Sequence, residues 1–156
     1  MNKIIILIFS TSLFCDSYNM QLLSYMDLGV ESSDITGFSQ DGREFAVVGL
    51  TGEESAVFID ITDPYNPFEV GRIEGTPSIW RDLKYWNRHI YIGTEADDGV
   101  KVVDVSDLDN PTLVYTILDV DNSHNIHVYD GYLYIVGADE YYMWIYDLSN
   151  PSSPQL

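Results

Sequence analysis

Three near-copies of one phrase punctuate the chain: IDITDPYNP at 59–67, VDVSDLDNP at 103–111 and YDLSNPSSP at 146–154. Asp60, Asp104 and Asp147 fall 44 and 43 residues apart, and Pro67, Pro111 and Pro154 keep the same spacings. Gly49, Gly93 and Gly137 recur every 44 residues. A fixed period of this length means that one supersecondary unit is repeated, and each copy must bury its apolar surface against the next.

The text between the phrases shows what the unit is. WRDLKYWNRHIYIG (80–93) aligns with SHNIHVYDGYLYIVG (123–137). Each has a polar start, an alternating run, a two-residue polar turn and a second alternating run. The turns are Asn87-Arg88 and Asp130-Gly131, and Asp-Gly favours a type I′ hairpin. The runs are rich in Val, Ile, Tyr, Phe and Trp, as strands prefer. Four strands are expected per unit. The first unit reads as strands at 34–39, 44–51, 55–61 and 68–74. The second reads as strands at 81–86, 89–94, 100–105 and 112–118. The third reads as strands at 124–129, 132–137 and 143–148, then stops at the start of a fourth. No helical periodicity is evident after the N-terminal region.

The repeated phrase sits where the third strand of a unit turns into the fourth. The aspartates of D-x-[ST]-[DN] can accept a backbone N–H two residues on, which makes an Asx turn. Pro64 and Pro151 fix φ and stop the strand, whereas Leu108 fills that place in the second copy. Pro67, Pro111 and Pro154 precede the outer strand, where a missing donor does little harm. Asp60, Asp104 and Asp147 are therefore read as turn-makers, not as catalytic groups.

Four-stranded units of about 43 residues are the sequence signature of β-propeller blades. The fold class expected is all-β, with blades at approximately 34–74, 81–118 and 124–156. Residues 20–29, MQLLSYMDLG, resemble fourth-strand text and read as a lone outer strand. That makes roughly three blades, an incomplete ring, since four to eight usually close one. Either the chain is the N-terminal portion of a longer one, the simpler expectation, or a homodimer completes the ring.

The first 17 residues, MNKIIILIFSTSLFCDS, combine Lys3 with an apolar run too short to span a bilayer. They read as a secretory signal peptide, with residues 18–156 as the mature domain and no membrane span in it. Cys15 raises a lipoprotein reading, although Phe14 precedes it where a small residue is expected. Cys15 is the only cysteine, so no intrachain disulfide can form and Cys-zinc chemistry is excluded. With 25 Asp+Glu against 7 Lys+Arg, the formal charge is -18. Such a surface repels phosphate backbones, which excludes nucleic acid as a partner class.

The segments DGREFAVVGL, FIDITDPYNPFEVG, SIWRDLKYWNRHIYIGTEADDGVKVVDVSD and SHNIHVYDGYLYIVGAD resemble the LVIVD-repeat proteins of the choice-of-anchor B group. The resemblance covers residues 20–156 and is most specific at 76–107. It implies a β-propeller and a bacterial periplasmic, secreted or cell-surface home. It implies no defined activity. Members of the group are much longer than this chain.

In a propeller the first strands of all blades converge on a central channel, where ligands gather. The starts of those strands place Asp34, Asp82 and Asn125 at comparable positions, with Trp80, Arg81 and His124 beside them. Carboxylates, a guanidinium, an imidazole and an indole around a funnel could hold a cation, a sugar or a peptide. The competing reading is a polar network that joins blades, because buried polar groups need partners. His124 and His127, three apart on a strand, point to opposite faces and do not share a metal. DVDNSHN (119–125) is a weak calcium candidate that lacks the glycine and distal Glu of an EF-hand. EADDG (95–99) reads as a loop turn. No Ser-His-Asp order, zinc-helix motif, P-loop or dinucleotide fingerprint is present.

The function expected is a non-enzymatic binding module that contacts protein or glycan at the channel face, with no cofactor. One alternative is a polysaccharide hydrolase or lyase using Asp34, Asp82 and His124. Another is a purely structural part of a larger surface protein.

Overall fold

The computed structural model describes residues 20–138 and 141–156. The expected leader at 1–17, with Cys15, lies outside them. Eleven strands form three antiparallel sheets, and no helix occurs among the described residues. The first sheet runs β1 (Ser32–Gln40), β2 (Arg43–Leu50), β3 (Glu54–Asp60) and β4 (Phe68–Glu74) in spatial order. The second runs β5 (Arg81–Trp86), β6 (His89–Thr94), β7 (Val100–Asp104) and β8 (Thr112–Ile117). The third holds β9 (Asn125–Tyr129), β10 (Tyr132–Val136) and β11 (Trp144–Asp147). The fold is all-β and built of propeller-like blades, with strand bounds within two residues of those read from sequence.

Three hairpins join first and second strands through residues at positive φ. Asn87 and Arg88 lie at 45° and 63°, and Asp130 and Gly131 at 49° and 81°. Asp41 and Gly42, at 52° and 80°, make a third turn of the same kind. Both central residues left-handed is the type I′ geometry that matches strand twist.

The blades stack face to face in chain order. Phe38, Phe45, Val47 and Phe58 of the first pack on Leu83, Ile90, Ile92 and Val103 of the second. The Phe38 ring stacks on Tyr85 across this seam at 4.7 Å. Tyr91, Val102 and Ile117 of the second pack on Ile126, Leu133, Ile135 and Tyr146 of the third. The innermost strands β1, β5 and β9 are neighbours. The middle blade is buried on both faces, which explains why β6 is buried along its whole length.

The recurring glycines mark the close approaches. A Cβ on Gly49 would lie 2.7 Å from the Arg81 Cβ, and one on Gly93 would lie 2.7 Å from the Ser123 Oγ. The next blade's entry therefore occupies the space of a side chain. Gly137 breaks the pattern. In the third unit Val136 takes the place of Gly93, facing Asn125 in the ladder as Gly93 faces Asp82, and Gly137 falls one residue beyond it, at φ 73°.

Residues 20–29 form no strand, contrary to the lone outer strand expected there. A strand is defined by its ladder, and this segment has none among the described residues. Instead Met26, Leu28 and Val30 cover Val48, Leu50, Val57 and Ile59 on the outer face of the first blade. Ser24 Oγ donates to the Pro64 carbonyl at 2.7 Å, and Arg72 donates to the Leu28 carbonyl.

Candidate functional site

The polar residues at the starts of β1, β5 and β9 divide into a buried and an exposed set. Asp34 Oδ2 accepts the backbone N–H of Leu83, in the next blade, at 2.9 Å. Asp82 repeats the contact one blade on, accepting the Ile126 N–H at 2.7 Å. It also receives the Asn125 amide at 3.3 Å and the Lys84 ammonium. Equivalent carboxylates thus fasten each first strand to the following one. Asn125 is the third of the series and is exposed.

Arg81 is fully buried. Its guanidinium donates to the carbonyls of Leu50 (3.0 Å) and Thr76 (2.6 Å) and to the Thr94 hydroxyl. Its backbone N–H donates to Ser33 Oγ at 3.1 Å. Burial pulls the Arg81 pKa down, and the charge of Asp98 opposes that pull. A guanidinium stays ionised under such a shift, so it acts here as a fixed multi-donor hub between first and second blades.

The surface set centres on Trp80 and His124. The Trp80 indole stacks on the His124 ring at 5.0 Å and 12°. Its Nε1–H donates to the His124 carbonyl at 2.6 Å. The His124 Nδ1 lies 2.5 Å from Glu95 Oε1. Beside Trp80, an open hollow of about 350 Å³ is lined by Glu31, Ser32, Ser33, Thr51 and Ile79. Ile79 is 83% exposed. An aromatic plate beside hydroxyls and a carboxylate suits a sugar ring or an extended peptide.

Asp60, Asp104 and Asp147 sit at the ends of β3, β7 and β11. Each accepts the backbone N–H two residues on, from Thr62 (2.8 Å), Ser106 (2.7 Å) and Ser149 (2.6 Å). Burial pushes the Asp60 carboxyl up, but bonds from Thr62 and Arg43 outweigh it and hold the pKa below the usual carboxylate range. Pro67 and Pro111 are half-buried and Pro154 is buried. Pro111 lies against Gly71 of the first blade, so close that a Cβ there would be 3.2 Å from its ring. Leu108, in the place of Pro64 and Pro151, packs against the core between the first two blades.

The loop at 119–125 spends its polar groups on the loop at 95–99. The Asp121 carbonyl accepts the N–H groups of Asp98 and Gly99, and Asn122 donates to Asp97. Among the described residues no cluster of three or more His, Cys, Asp or Glu is arranged to hold a metal ion. His127 lies within β9, opposite Tyr134, while His124 precedes the strand.

Two features escaped the sequence reading. Glu95 joins the exposed cluster from a segment read only as a turn. Glu53, Glu54, Glu74, Asp98 and Lys101 line an open cleft of about 660 Å³. Lys101 is buried and pairs with Asp98 at 2.5 Å. Burial raises the Asp98 pKa, yet the bonds from Lys101 and the Thr76 N–H leave it lowered on balance. No helix among the described residues is long and apolar enough to cross a membrane.

The LVIVD repeat matches the chain twice in tandem, over residues 87–119 and 121–156. The first match covers β6 to β8 and the second β9 to β11, so one repeat corresponds to most of one blade. No curated protein matches the chain.

Proposed function

We propose that this LVIVD-repeat chain is an exported, non-enzymatic binding module of the bacterial periplasm or cell surface, of the choice-of-anchor B type. Its contact face is the rim formed by Trp80, His124 and Glu95, and it takes a protein or glycan ligand. One observation carries the reading: Asp34, Arg81 and Asp82 are engaged with neighbouring blades, while the Trp80–His124 stack stays at the surface. A hydrolase would need a free carboxylate pair flanking a bond. Asp82 is instead 5% exposed and already accepts a backbone N–H. The tandem repeats support a repeat-based interaction surface, because stacked units present long continuous faces.

Glycan and peptide arrays probed with the purified chain test the proposal. The wild type should retain a defined ligand set, and Trp80→Ala should lose at least about ten-fold in affinity with the near-ultraviolet dichroism preserved. Polysaccharide turnover lost in both Asp82→Ala and His124→Ala would replace this reading with the hydrolase one. Mass spectrometry of the exported protein tests the leader, with a mature N-terminus near residue 18 expected.

A further inference from the structure

We infer that the hollow beside Trp80 takes the guanidinium of an arginine side chain, presented by an extended segment of a partner protein. The inference rests on the rim reading proposed above and narrows its ligand from protein or glycan to a cationic peptide.

The polar side chains of the hollow are almost all acceptors. The Trp80 indole N–H is spent on the His124 carbonyl, so the ring offers a ligand its π system and no donor. The Thr51 hydroxyl donates to the Glu31 carbonyl at 3.1 Å. Ser33 Oγ already receives the Arg81 N–H. That leaves the hydroxyl protons of Ser32 and Ser33 as the side-chain donors of the lining. The Glu31 carboxylate is exposed and makes no hydrogen bond or ion pair among the described residues. A guanidinium brings five N–H donors and asks for none in return. It also stacks on aromatic faces. A sugar hydroxyl both donates and accepts, and its lone pairs would find few donors here.

Charge points the same way. Every arginine and lysine among the described residues is paired with a carboxylate of its own chain, except Arg81, which is buried and bonded to backbone carbonyls. No cation is left to neutralise Glu31. Glu53 and Glu74, on the neighbouring cleft, are likewise without an ion pair, so the surrounding surface attracts positive charge. Glu95 is held by His124 Nδ1, which makes Glu31 the anionic anchor. The remaining wall is apolar. Ile79, just before β5 and 83% exposed, suits the methylene stem of an arginine. At about 350 Å³ the hollow is at the small end of ligand sites, roughly 300–1,000 Å³, and accommodates one side chain.

Two probes that differ only at the charged group test this: an acetylated, amidated tripeptide with arginine between two leucines, and its citrulline counterpart. Each is titrated into the full chain with the Trp80 indole N–H followed by NMR, and Trp80→Phe assigns that signal among the three tryptophans. The arginine peptide should shift the signal saturably and bind about ten-fold more tightly than the citrulline one. Glu31→Gln, at an exposed position, should weaken the arginine peptide about three-fold, and added salt should weaken it further. Equal affinity for the two peptides overturns the inference, as does an arginine affinity indifferent to Glu31→Gln. A glycan whose binding is abolished by Trp80→Ala, with neither peptide moving the indole signal, overturns it and leaves the rim reading standing. Peptide binding that survives Trp80→Ala unchanged overturns both.

Discussion

Asp82 shows how one side chain can be decisive without chemistry of its own. It is almost fully buried and satisfies the Ile126 N–H of the next blade. Asp82→Ala should cost about 3 kcal/mol, because a buried donor and Lys84 both lose their acceptor. Asp34→Ala, at a half-buried site with one such bond, should cost about 1.5 kcal/mol. Thermal denaturation of the two variants checks the order. Gly49→Ala should destabilise by about 2 kcal/mol, since its Cβ meets the Arg81 backbone-proximal carbons and not a flexible tip. The positions of Asp34, Asp82 and Asn125 were legible from the repeat alignment. The N–H groups that Asp34 and Asp82 hold were not, because each lies more than 40 residues away, and a backbone amide leaves no mark in sequence. Glu95 was missed for a related reason. Its partner His124 is 29 residues distant, and nothing local marks the pair.

The turn that ends each third strand is the element best written in the sequence. Its aspartates make their bonds two residues away, so local text determines them. For Asp60 and Asp104 burial raises the pKa and hydrogen bonds and nearby charge more than reverse it; for Asp147 the Ser149 bonds lower it directly. A folded value below the unfolded 3.8 means stability that is fully present above that pH and lost as pH falls through the lower folded values. The melting temperature should therefore hold from neutrality down to about pH 4 and drop below it. Asp60→Asn should shallow that acid limb when melts are recorded as a function of pH. Residues 20–29 were the element misread. Their alternating apolar pattern suits a strand, but the same alternation also lays Met26, Leu28 and Val30 onto a sheet face without any ladder. Pattern reports which side chains are buried and leaves open what the backbone pairs with.

At the scale of the molecule, the three blades are a linear stack held by two apolar seams and two carboxylate fastenings. The second blade lines both seams, with Leu83, Ile90 and Ile92 on one face and Tyr91 and Val102 on the other, so the described chain should unfold in one transition although its units repeat. Phe38→Ala, which empties the first seam beside Tyr85, should cost about 3 kcal/mol and should broaden or split that transition. The period, strand order and hairpins of this stack were readable because they depend on local alternation and turn chemistry. The division of the funnel residues into a buried fastening and an exposed rim was not, because it depends on how closely successive blades approach.

That division is the centre of the account, and native-state amide exchange of Leu83 and Ile126 tests it most directly. In the wild type both amides should be strongly protected. Asp34→Ala should release Leu83 alone, and Asp82→Ala should release Ile126 alone, with the ladders of β5 and β9 otherwise unchanged. Protection of both amides that survives both substitutions would mean that these carboxylates do not join the blades, and that they remain free for a ligand.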